Sequence, residues 1–249
     1  MRIPLVIILM LLSCIPLARA QKFTGEISYT KQLILPENAL KELKQKNPQQ
    51  YENFLNNISK AKDATGQIKF MLIFTEEKSN YYAENSLGKG DGIVESIIEN
   101  TGLYYNYAST PYRYQEVEFQ GKKFLIKREP LNWKLTGETK TLSGYSCRKA
   151  TATQEFTSIR TKKTIIHNIE AWFTNEIPFP YGPEGFGGLP GLILEMKFAQ
   201  NYYYATKIKL SQKNTKIATP NLKNVISFQE YQAIMEGLDK RFREFQGID

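Results

Sequence analysis

From residue 23 onward the chain reads first as an alternation. Phe23, Gly25, Ile27, Tyr29 and Leu33 fall on odd positions with polar residues between most of them, the period of a strand with one buried face. Leu40 and Leu43, then Tyr51, Phe54, Leu55, Ile58 and Ala61, switch to helical spacing, and Asn47-Pro48 breaks that pattern because proline disfavours a helical conformation in the residue before it. Residues 67–75 alternate again. Ile68, Phe70, Leu72 and Phe74 share one face, while Met71 and Ile73 add apolar character to the other, so this strand belongs in the middle of a sheet. Residues 86–92 form a loop by composition, and no convincing helical pattern follows it.

The remainder is dominated by strands. Residues 103–107, 112–119 and 122–127 are rich in tyrosine and β-formers, with Gln120-Gly121 as a tight hairpin turn between the last two. Trp133 and Leu135 begin another strand, and further strands cover 144–152, 164–174, 192–198 and 202–210. The strand 164–174 sets Ile165, His167, Ile169, Ala171 and Phe173 on one face. At the C-terminus, Ser227 followed three residues later by Glu230 is a capping box. Phe228, Tyr231, Ile234, Met235, Leu238, Phe242 and Phe245 then form an apolar helix face. Packing on the sheet suits this helix better than lying on a membrane, because its other face mixes Glu230, Glu236 and Asp239 with Lys240 and Arg243. The pattern predicts an α+β fold, mainly antiparallel β, in one domain over 21–249. Its specific form is a strongly curved sheet or half-barrel with the C-terminal helix across the concave face and a helical segment near the N-terminus.

Residues 1–20 stand apart. Met1-Arg2, the apolar run 3–12 and Ala18-Arg19-Ala20 have the layout of a secretory signal peptide cleaved after Ala20. A rival reading takes residues 11–14 as a lipoprotein site acylated at Cys14, which Leu12 suits poorly. The apolar run is shorter than the ~20 residues a spanning helix needs, so no transmembrane span is expected in the mature chain. Export implies a periplasmic, outer-membrane-associated or secreted protein. Removing residues 1–20 lowers the formal charge from +8 to +6, a solvated excess rather than a nucleic-acid footprint in an exported protein. Cys147 is then the sole thiol, so no internal disulfide forms and a hydrophobic core must supply the stability.

Candidate chemistry is sparse. The Gly/Pro-rich stretch 181–191 resembles an anion cradle, but such cradles lead into a helix N-terminus, and Leu192-Ile193-Leu194 reads as β. Pro190 and Gly191 instead suit the two central places of a type II turn, in which glycine supplies φ > 0. Cys147 and His167 are the one available nucleophile and base pair. A hairpin turn near 157–160 would bring Cys147 opposite residues 167–171, although a buried cysteine more often acts as a small hydrophobe. One His and one Cys are too few for a structural zinc site, so no metal and no cofactor is expected. Glu170 and Glu195 are among many carboxylates that spacing cannot select. The 15 tyrosines and 14 phenylalanines serve as cross-strand pairs, or line a pocket for an apolar or sugar-like ligand.

Gly-Leu-Pro-Gly-Leu-Ile at 188–193, Gly-Tyr-Ser-Cys-Arg-Lys-Ala at 144–150, and Ala-Trp-Phe-Thr at 171–174 with Ile177-Pro178 and Gly182-Pro183 together resemble the GLPGLI family of exported Bacteroidetes-type proteins. The resemblance covers about residues 133–198. It implies export to the cell envelope and a β-rich fold, and it carries no assigned biochemical activity. It marks Tyr181, Gly182, Pro183, Phe186, Gly188, Leu189, Pro190, Gly191 and Trp172 as the place to look for binding. The expected function is a non-enzymatic envelope protein holding an apolar ligand, a peptide or a partner protein, such as an outer-membrane transporter that such proteins accompany. The alternatives are a cysteine-dependent hydrolase or transferase using Cys147 and His167, and a structural envelope component.

Overall fold

The computed structural model describes residues 23–35, 37–85, 92–158, 161–212 and 215–247. The expected signal segment 1–20, with Cys14 and the cleavage site after Ala20, and the loop 86–91 lie outside the described residues. Strand β1 (Thr24–Leu33) leads into helices α1 (Glu37–Lys46) and α2 (Pro48–Gly66). Asn47 divides the two helices as expected. Its side chain accepts the Gln50 backbone N–H at 3.0 Å, and Pro48 opens the next helix, where a missing N–H costs nothing. Then come β2 (Ile68–Thr75), β3 (Lys78–Asn85), α3 (Gly92–Thr101), β4 (Leu103–Tyr107), β5 (Arg113–Phe119) and β6 (Lys122–Arg128). The second half is β7 (Lys134–Leu142), β8 (Tyr145–Thr157), β9 (Thr164–Thr174), β10 (Leu192–Phe198), β11 (Asn201–Ser211), β12 (Val225–Ser227) and α4 (Phe228–Gln246).

All strands join one 12-stranded sheet in the order β12-β6-β5-β4-β3-β2-β1-β11-β10-β9-β8-β7. Every pairing is antiparallel except the short β12 beside β6. The first strand lies between β2 and β11, so the sheet is stitched at its centre by a contact between strands far apart in sequence. The alternation of β2 holds, with Ile68, Phe70, Leu72 and Phe74 buried and Lys69 exposed. Gln120 and Gly121 both take positive φ, 51° and 74°, as a two-residue hairpin turn of the primed type requires.

The structure departs from the expectations at several points. The sheet is open, ending in β12 and β7, so a half-barrel is not confirmed. None of the residues of helix α4 is buried, so it contributes little to the core. It starts at the β6–β12 edge, where Tyr231 meets Phe124 edge-on, and reaches the β8–β9 turn through Gln232 Nε2, which donates to the Thr157 carbonyl, and an ion pair between Lys162 and Glu236. Its far end projects Phe242 and Phe245 into solvent. A helix, α3, does begin at Gly92, directly after residues 86–91. Its β-branched Ile93, Val94, Ile97 and Ile98 hide a helical pattern, yet Val94 and Thr101 are buried. Strand β3 is not expected from the sequence, because Lys-Ser-Asn-Tyr-Tyr-Ala-Glu-Asn lacks a clean apolar alternation; its pairing with β2 and β4 makes it a strand.

Truncating the centre and the periphery separates these roles. Leu72→Ala, at a position with no exposure, is expected to cost about 2–5 kcal/mol in urea unfolding. Phe245→Ala, at 90% exposure, is expected to cost under about 0.5 kcal/mol; an equal loss from both would contradict the peripheral placement of the helix end.

Candidate functional site

The segment 177–191 joins β9 to β10 and is held by its own backbone. Phe179 N–H donates to the Ile177 carbonyl and Tyr181 N–H to the Phe179 carbonyl, both at 2.8 Å. These are successive three-residue turns centred on Pro178 and Pro180, whose rings preset the φ such turns use. Gly188 N–H then returns to the Pro180 carbonyl at 3.2 Å, and Ile193 N–H to the Tyr181 carbonyl at 3.0 Å. The loop therefore folds back against the start of β10. Gly191 does not take the positive φ of a type II turn; the left-handed residues nearby are Glu184, Gly185 and Gly188. Glycine is needed at 191 for a different reason, since a Cβ there would overlap the Thr174 carbonyl oxygen.

Glu184 is the one charged residue between Glu176 and Glu195, and the loop turns on it. It sits in a 3-10 turn, Pro183–Gly185, at φ 49°, a conformation that costs a non-glycine residue about 1 kcal/mol or more. Its carboxylate meets Lys31 of β1 at 3.0 Å, with the two side chains 12% and 17% exposed. The Tyr203 hydroxyl of β11 donates to the same oxygen. Burial alone would raise the Glu184 pKa, but Lys31, the hydrogen bonds from Tyr203 and Lys31, and nearby Arg113 hold it below the ordinary 4.5. Burial and then Glu184 push the Tyr203 hydroxyl well above its ordinary value, so it remains a donor. Tyr29 completes the anchoring by donating to the Ile193 carbonyl at 2.6 Å.

Beyond Glu184 the loop walls a cavity. Phe186 lies under the Arg113 guanidinium, 3.8 Å from ring centroid to Cζ. Asn106 Nδ2 donates to the Gly185 carbonyl at 2.7 Å, and Trp133 Nε1 to the Gly187 carbonyl at 2.8 Å. Between these anchors is a cavity of about 360 Å³, open on one side and lined by residues 106–111, Arg113, residues 129–131 and loop residues 180–181 and 185–188. Arg113 is 7% exposed, and its Nε and Nη1 have no hydrogen-bond partner. Burial pushes its pKa down to about 10, which leaves it charged at neutral pH. Opposite it on β6, Arg128 bonds Gln115 Oε1 through Nε and Nη2 and stacks on Phe228.

The residues singled out from sequence separate in space. Tyr181, Phe186 and Gly188 line the cavity; Gly182, Pro183, Leu189, Pro190 and Gly191 are not in its lining and shape the loop behind it. Trp172 packs with the core group that holds Cys147, whereas its neighbours Ala171 and Phe173 join the group of Phe186 and Leu189. Lys140 stands 4.2 Å over the Trp172 ring. Cys147 is fully buried, and burial pushes its thiol up to about 11. His167 stacks on Phe156 and meets Phe198 edge-on. The β8–β9 turn falls at 158–163, later than expected, so Arg148 pairs Phe173 and Gln154 pairs His167. That register sets Cys147 roughly 20 Å from His167 at ~3.3 Å per residue, and the two do not meet. Glu170 and Glu195 are salt-paired to Lys149 and Lys140. Among the described residues no three His, Cys, Asp or Glu side chains converge as metal ligands would. The sequence pattern does not mark Arg113, Lys31, Tyr203 or Glu184 as site residues; the lone acid inside the Gly/Pro stretch is the one available signal.

Two measurements check this geometry. The depressed pKa of Glu184 contributes stability that is complete above the ordinary 4.5 and is lost as pH falls through the lower native value. Glu184→Gln is therefore expected to lower stability at pH 7 by about 3 kcal/mol and to flatten the acid limb of a stability-versus-pH curve; an unchanged acid limb would contradict the buried pair. The Cys147 thiol should resist alkylation until denaturant is added, and rapid labelling of the native protein would contradict its burial.

A family model described as a protein of unknown function (Porph_ging) matches residues 158–195. No curated protein matches the chain. The matched span runs from the β8–β9 turn through Trp172, Glu184 and the loop into β10, and leaves Cys147 outside. Over the segment that builds the loop, the chain is thus similar to a Bacteroidetes-associated family of unknown function.

Proposed function

We propose that this is a non-enzymatic, exported protein of the cell envelope that holds a small apolar-bodied ligand in the cavity beside the Gly/Pro loop. One observation carries the reading: the loop is anchored in the core by Tyr181, Phe186 and Leu189, and its face at Pro180, Tyr181 and residues 185–188 walls a half-open cavity of about 360 Å³. Its lining combines Phe186, Leu131 and three prolines with a few polar groups, including Asn106 and Arg113, the mix typical of small-molecule sites. Export is supported by the signal-like pattern of residues 1–20, and the GLPGLI resemblance by the hexapeptide at 188–193. An outer-membrane uptake protein is the partner this setting suits. Among the described residues no helix is long and apolar enough to cross a membrane.

Ala108 is exposed at the cavity mouth, so Ala108→Trp blocks the cavity without touching the core. The anionic probe 1-anilinonaphthalene-8-sulfonate and its neutral parent N-phenyl-1-naphthylamine report binding by fluorescence gain. At least one should bind the wild type at a single site and quench Trp133 in a Trp172→Phe background. Ala108→Trp should weaken that binding about tenfold or more. Failure of both probes to bind, or binding indifferent to Ala108→Trp, would contradict the reading.

A further inference from the structure

The charge beneath the cavity is unbalanced. Lys31, Arg113 and Arg128 gather around Glu184, the carboxylate that acts on both guanidinium groups. That carboxylate is already engaged by Lys31 and Tyr203, and Arg128 has only the neutral amide oxygen of Gln115. Arg113 has the face of Phe186, whose quadrupole attracts a cation but takes no hydrogen bond. Leaving guanidinium donors buried and unbonded is costly. An arginine kept that way in the wall of a cavity is the feature of this site that packing does not explain.

We infer that the ligand carries a single oxyanion, foremost a carboxylate, on an apolar body, and that Arg113 is the residue that selects it. The inference rests on the reading of the cavity as a binding site and names the ligand class. Guanidinium donors match a carboxylate in geometry and charge, while Phe186, Pro130 and Leu131 offer apolar contact to the rest. One group of charge −1 suits the site better than a phosphate of higher charge. The exposed Glu129 carboxylate sits in the same lining and repels excess negative charge, and Arg128 is partly satisfied by Gln115.

The two naphthylamine probes differ by one sulfonate, so their ratio reads the oxyanion alone. At physiological salt the wild type should bind the sulfonate at least about tenfold more tightly than the neutral parent. Octanoate should displace the sulfonate where octanol at equal concentration does not. Arg113→Met should abolish the preference, Arg113→Lys should keep part of it, and Lys134→Met, which removes an exposed cation from β7, should leave it intact. Equal affinity of the wild type for both probes overturns the inference while leaving the cavity a binding site, as does a preference that survives in Arg113→Met. Absence of binding by either probe overturns the binding reading and this inference with it. The wild-type comparison decides the matter even if Arg113→Met does not fold.

Discussion

The contact on which the loop depends is the buried pair between Glu184 and Lys31, with Tyr203 as a second donor to the same carboxylate. Glu184 is held in a left-handed conformation that the chain would otherwise avoid, and its carboxylate loses most of its water. Both costs are tolerable only because β1 and β11, adjacent in the sheet, present a cation and a hydroxyl at the point where the loop crosses. The pair thus converts a glycine- and proline-rich linker into a fixed wall. The glycines then serve close approach, as at Gly191 against the Thr174 carbonyl, and the prolines preset the two turns that precede Glu184. Phe186 is carried into place beneath Arg113 as a consequence, and the cavity follows.

The same cluster explains why a guanidinium is left over. Lys31 and Tyr203 both bond the same oxygen of the Glu184 carboxylate, and neither arginine is hydrogen-bonded to it. The lysine and tyrosine take it, Arg128 turns to Gln115, and Arg113 is left with an aromatic face. Buried donors are nearly always paired in folded proteins, so two unpaired ones on a single side chain call for a functional account. Here they lie beside a cavity whose other walls are held by Trp133 and Asn106 through hydrogen bonds to loop carbonyls. The position of α4 fits this division of labour. Its first residue, Phe228, covers Arg128 and steadies the neighbour of Arg113, while its distal half contributes little to the core.

What the sequence made legible is what is local. The alternation of β2, the break at Asn47-Pro48, the capping box at Ser227 and the Gln120-Gly121 turn each depend on a few adjacent residues, and each is present. Strand β3 and helix α3 were not legible because their patterns exist only once neighbours are in place. The Cys147–His167 pairing failed over a turn that falls a few residues later than expected, since in an antiparallel hairpin each residue of turn shift moves the opposite partner by two. The loop was recognisable as the place to look, but its meaning was not. Lys31 and Glu184 are 153 residues apart, and nothing in the alternation of β1 or β5 distinguishes Lys31 or Arg113 from surface cations.

The central claim is that the Glu184 contact, rather than the glycine and proline content alone, makes the loop rigid. Amide hydrogen exchange tests it directly. In the wild type the amides of Phe186, Gly188 and Ile193, which bond loop carbonyls, should exchange slowly. In Glu184→Gln their protection should fall sharply while that of Leu72 in the central strand stays near its wild-type level. Loop amides equally protected in both proteins, or a uniform loss of protection across the sheet, would contradict the account.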